Sequence, residues 1–135
     1  MKTNRYLLIA AIITGLSAIV HGIGAEVTTI SSLTASTIPS NIQVELRAVW
    51  HGATLILLGS AFLMLRAARL LHKSEITTLL IWFYGLWAVI WFVIALLMGA
   101  QNLIDAPQWA LLLTIAAFTF VGQRRQSAMA LRQQD

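Results

Sequence analysis

The sequence predicts an all-α protein: a bundle of four transmembrane helices with antiparallel neighbours and both termini cytoplasmic. Three observations predict it. The 135-residue chain is 59% hydrophobic and only 10% charged, with a mean hydropathy of +0.79. Its apolar residues fall into four long runs. Its lysines and arginines gather on one side once four spans are drawn. A soluble domain averages about a quarter charged residues, and disorder needs low hydrophobicity with high charge, so both classes are excluded. The length suits a single domain. The absence of cysteine excludes disulfides, thiolate metal sites and thiol catalysis.

The spans are expected at about 6–25, 44–66, 76–100 and 107–123. A hydrocarbon core of roughly 30 Å needs about 20 helical residues. The first and third runs meet that length directly. The second does so by extending its helix past Arg47 and Arg66. The fourth is short, which local thinning and snorkelling can accommodate. The runs are continuous rather than alternating, which selects helices over a barrel. Lys2, Arg5 and the first run share features with a signal peptide, but the run exceeds the usual apolar length of one.

Local signals delimit the helices. Ser40 and Gln43 have capping-box spacing ahead of the second span. Ser74 is placed to cap the third, with Glu75 in its first turn. Pro107 stands where a helix can start. The segment 27–40 is rich in Ser and Thr and reads as an outer loop, or more specifically as a lid. The tail from Gln123 to Asp135 is polar and basic and reads as lying on the anionic inner leaflet.

Orientation follows from charge. Lys2, Arg5, Arg66, Arg69, Lys73, Arg124, Arg125 and Arg132 all fall on one side of a four-span chain, which the positive-inside rule makes cytoplasmic. His72 falls with them. Arg47 alone lies opposite, with Glu26, Glu45 and Asp105. The net charge of +4 is thus an orientation signal, not a footprint for nucleic acid. The expected location is a prokaryotic inner membrane.

Small residues mark packing faces. Ala11, Gly15, Ala18 and Gly22 recur in the first span, and Ala48, Gly52 and Gly59 in the second. These two helices are expected to pack together. Polar stripes run beside the small ones: Thr14, Ser17 and His21, then Arg47, His51 and Thr54. The third span carries an aromatic face of Tyr84, Trp87 and Trp91. Trp82, Trp50 and Trp109 read as interface anchors.

One constellation stands out. His21 lies five residues before Glu26, and His51 four residues after Arg47. At 1.5 Å per residue both histidines sit about 6–8 Å below the outer charged layer. Arg47 needs an anion at that depth, and Glu26 or Asp105 fits better than Glu45. Glu26 joins His21 only if the helix loosens at Gly22 and Gly24.

The stretches V-H-G-I-G-A-E (Val20–Glu26) and W-H (Trp50–His51) resemble a group of uncharacterised small membrane proteins. These share a V-H-x3-G-E-like motif and a later W-H. Here the glycine is displaced by one, at Gly24. The resemblance covers about a third of the chain. It implies a four-helix membrane protein with no assigned activity.

Three functional readings stand side by side. In one, the histidines are structural members of interhelical hydrogen bonds, in an accessory subunit of a larger membrane complex. In another they hold haem b or a transition metal, with His21 and His51 as ligands, Trp87 and Trp91 as an apolar wall, and Glu26 or Asp105 completing a metal set. In the third, an outer vestibule of His21, Arg47, His51, Asn102 and Asp105, with Glu45 beside them, binds a small solute, and small-residue faces permit the homodimer that a path would need. The sequence has no phosphate-binding glycine loop and no H-E-x-x-H or G-x-S-x-G motif.

Overall fold

The computed structural model describes residues 3–69 and 75–131. Every assigned element is helical: α1 (Arg5–Ile19), two π-helical segments (Val20–Gly24 and Glu26–Ile30), α2 (Ser31–Thr34), α3 (Ser40–Ala67), α4 (Glu75–Leu97), α5 (Asn102–Asp105) and α6 (Gln108–Leu131). Three helical stretches, Arg5–Thr34, Ser40–Ala67 and Glu75–Leu97, are long and apolar enough to cross a membrane. Lys2, His72, Lys73, Arg132 and the expected cap at Ser74 lie outside the described residues.

The first helix runs well past the expected end at residue 25. The segment 27–40 is therefore not a loop throughout, since helix continues to Thr34. The reason lies in the hydroxyls. Thr28 donates to the Gly24 carbonyl, Ser31 to Val27 and Ser32 to Thr28, all at 2.8–2.9 Å. Ser and Thr bonded back one turn in this way remain compatible with helix. Only residues 35–39 turn the chain toward α3. The expected capping box is also absent. Pro39 holds the N-cap position of α3, and Gln43 reaches back to the Ile38 carbonyl instead (2.8 Å).

α4 stops at Leu97, three residues before the expected limit. Gly99 follows with φ +121°, a left-handed conformation that suits glycine after a helix end. α6 begins immediately after Pro107, as expected, and continues to Leu131.

In the packing order α4 lies along α6, α6 along α1, and α1 along α3, while α3 and α4 meet more slightly. The expected pairing of α1 with α3 is present, and Gly15 and Gly22 make the close approach on α1, but on α3 they meet Ala61 and Thr54. A methyl group on Gly15 would lie 3.7 Å from the Ala61 Cβ, and one on Gly22 3.0 Å from the Thr54 methyl. Gly52 and Gly59 face no neighbour within 4 Å. The core gathers Ala10, Ala18, Leu57, Met64, Leu80, Tyr84, Ala88 and Ile115. Outward positions such as Leu55, Leu79, Leu86 and Val49 are exposed and apolar, a surface that lipid accepts and water does not.

A polar knot closes the end where α1 begins. Asn4 caps α1 through its Oδ1, which accepts from Tyr6 and Leu7. Its backbone N–H donates to Ala68 (2.8 Å), and its Nδ2 to the Gly122 carbonyl (2.7 Å). Gln126 is fully buried and donates to the Ala67 carbonyl (2.8 Å), while Gln123 donates to Thr77 and Thr78. The polar segment after residue 122 thus begins as buried helix, not as a surface tail. Arg124 and Arg125 face outward. Arg124 lies over the Phe120 ring and Arg125 over Tyr6.

Candidate functional site

The two π-helical segments shape the opposite end of the bundle. A π turn inserts one residue into an α-helix, which rotates the residues after it by roughly 100°. The first falls at Val20–Gly24, the stretch that would have to loosen for Glu26 to join His21. Glu26 is then aligned with α3. Its Oε1 accepts from Arg47 Nε (3.1 Å) and its Oε2 from Arg47 Nη2 (2.6 Å). His51 Nε2 donates to the same Oε1 (2.7 Å). Glu26 is therefore the anion that Arg47 requires, and it ties α1 to α3 through two donors. All three side chains keep part of their surface exposed.

His21 takes a different partner. Its Nδ1 is 2.9 Å from Thr54 Oγ1, and it forms no hydrogen bond to Glu26 or His51. Its ring stacks on Trp50, with centroids 4.4 Å apart and planes 14° from parallel. The indole Nε1 of Trp50 donates to the His21 carbonyl (2.9 Å). Trp50 is thus part of the site rather than a simple interface anchor. Its signal in the sequence is the i, i+4 spacing to Thr54, which puts both on one face of α3. Trp82 is exposed. Trp109 is tied locally, donating to the Leu103 carbonyl (3.0 Å) with its ring edge against Phe92.

Beside His21 lies a cavity of about 440 Å³ between α1, α3, α4 and α6. Trp50, Trp87, Trp91, Leu57, Leu112 and Ile115 form its apolar wall, and Ser17, His21, Thr28, Thr29 and Gln108 its polar part. Among the described residues, no charged side chain lines it. Its volume is in the usual range for small-molecule sites. Trp87 and Trp91, the expected apolar wall beside His21, line this cavity with it.

Other expected site residues are used elsewhere. Asp105 accepts from Gln101 (3.1 Å). Asn102 donates to the Met98 and Gly99 carbonyls, where α4 ends. Glu45 is exposed on α3. The set His21, His51, Glu26 and Asp105 is not assembled, and among the described residues no three His, Cys, Asp or Glu side chains gather as metal ligands would. The reason is local. Asp105 and Asn102 serve the tight α4–α6 connection, and Glu26 is already engaged by Arg47 and His51.

No protein-family model, no curated protein sequence and no solved structure matches this chain. The class that the structure defines is an all-helical protein with three helices long and apolar enough to cross a membrane.

Proposed function

We propose that the chain is a four-span membrane protein, N-in and C-in, that binds a small apolar solute in a cavity near the outer leaflet of a prokaryotic inner membrane. The observation that carries this reading is the cavity itself. It is about 440 Å³, walled by three tryptophans and aliphatic side chains, with His21 among its few polar groups. Large apolar pockets with a small number of placed polar groups are the usual form of a ligand site. The Glu26–Arg47–His51 cluster lies outside the cavity lining and acts as a brace between α1 and α3. Transport and carriage of the solute both start from this binding step.

Binding is tested with purified protein in detergent, using hexylbenzene as probe. Intrinsic tryptophan fluorescence and the thermal unfolding midpoint are the readouts. The probe should quench or shift the emission and raise the midpoint in a saturable way. Filling the cavity with Ala25→Leu and Ile115→Phe together should abolish the response. An unresponsive wild-type protein overturns the reading. A Soret band in preparations from haem-supplied cells would replace it with haem binding at His21.

A further inference from the structure

The polar chemistry of the cavity narrows the ligand class, given the binding role proposed above. The Thr54 hydroxyl has a single proton, and it lies toward the Trp50 carbonyl at 3.3 Å. With its proton on that carbonyl, Thr54 accepts from His21 Nδ1 across the 2.9 Å contact. With the protons so assigned, the neutral ring keeps its lone pair on Nε2. Nε2 has no hydrogen-bond partner among the described residues. The ring cannot easily turn away from this arrangement. It is held flat against Trp50, whose own N–H is fastened to the His21 backbone.

The other polar groups follow a pattern. Ser17 gives its proton to the Ile13 carbonyl (2.7 Å) and Thr28 to Gly24 (2.9 Å). The indole N–H groups of Trp87 and Trp91, both half-buried in the wall, have no hydrogen-bond partner among the described residues. Besides the Thr29 hydroxyl and the Gln108 amide, the lining offers an acceptor at His21 Nε2, two indole donors and, among the described residues, no charge. A polar group in such an apolar site must be paired or it costs stability.

We infer that the ligand is a neutral amphipathic molecule with a hydroxyl group, a phenol or alcohol on an apolar body, whose O–H donates to His21 Nε2. A hydroxyl also has lone pairs for an indole N–H. A carbonyl or ether lacks the proton that His21 Nε2 would accept. An ammonium group lacks a counter-charge in the lining.

The test compares 4-hexylphenol, 4-hexylanisole, hexylbenzene and hexyltrimethylammonium by fluorescence titration. The phenol should bind about tenfold more tightly than the anisole, the scale of one buried hydrogen bond. His21→Phe keeps a ring against Trp50 and should erase that preference while retaining hexylbenzene binding. Thr54→Val frees the tautomer and should reduce the preference severalfold, which keeps the test valid should His21→Phe fold poorly. Equal binding of phenol and anisole, or tighter binding of the ammonium, overturns the hydroxyl assignment and leaves the cavity reading intact. Failure of all four probes overturns both.

Discussion

The imidazole of His21 lies flat on the indole of Trp50, 4.4 Å between centroids, while the Trp50 N–H holds the His21 carbonyl at 2.9 Å. The two residues come from adjoining helices and each fixes the other. The first segment of π-helix is where this contact forms. A wide turn leaves carbonyls less well satisfied than a regular helix, so an indole donor there has structural as well as positional value.

Replacing Trp50 separates these two contributions. Trp50→Phe keeps an aromatic face for His21 and loses the N–H donor, which should cost about 1 kcal/mol. Trp50→Leu also loses the stacking, a further ~0.5–1.5 kcal/mol. Reversible unfolding in detergent micelles measures both. Equal losses would show that the stacking contributes nothing.

The brace at Glu26 is electrostatic and partly exposed, so its strength should depend on salt. Reversing one charge, in Glu26→Arg or Arg47→Glu, sets like charges against each other and should lower the unfolding midpoint. The double exchange should recover much of the loss, with His51→Gln added to remove the third partner. The recovery should shrink as ionic strength rises. Additive losses in the double exchange would show that Glu26 and Arg47 do not pair.

Much of the helical frame is legible in the sequence because apolar runs bounded by arginine leave little choice in a membrane. Scarcity of charge also makes one partnership legible. Arg47 has few anions within reach, and Glu26 is one of them. The segment after Ala25 is misleading because Ser and Thr signal a loop by composition. Only the backward bonds of Thr28, Ser31 and Ser32 reveal a helix, and these are geometric. Asp105 and Asn102 look like site residues by depth alone. The turn after Gly99 takes both for local bonds, an outcome set by a backbone angle that no residue count predicts. Depth alone assigns Trp50 to the interface, whereas its role depends on the rotation that the π turn gives to α1.

The end of the bundle opposite the cavity should be the less tolerant of substitution. A Cβ on Gly122 would stand 2.7 Å from Leu7 Cγ and 3.1 Å from the Leu7 backbone nitrogen. Backbone cannot yield as a side-chain tip can, so Gly122→Ala should cost about 1–3 kcal/mol. Asn4→Ala removes the cap of α1 and the bond to Gly122 together. It should cost about 1–3 kcal/mol, with the Gly122 carbonyl left buried. The two losses should not add, because both act at the α1–α6 contact. Additivity in the double variant, measured by unfolding, would mean that Asn4 and Gly122 act independently.

The proposed topology can be decided directly, because a chain without cysteine needs no background removed before labelling. Ser36, in the turn before α3, and Ala128, near the end of α6, are both exposed. With four spans they stand on opposite sides of the membrane. Ser36→Cys should react with an impermeant maleimide on intact cells, and Ala128→Cys only after permeabilisation. α6 is the helix at issue, since the three that are long and apolar enough to cross end at Leu97. Its Gln123 and Gln126 are buried against α4 and α3 residues, contacts that require α6 to run alongside them. A helix so packed should cross with its neighbours, placing Arg124 and Arg125 on the same side as Arg5 and Arg66. Labelling of Ala128→Cys on intact cells would refute the four-span arrangement and, with it, the inner position of the Asn4 knot relative to the cavity.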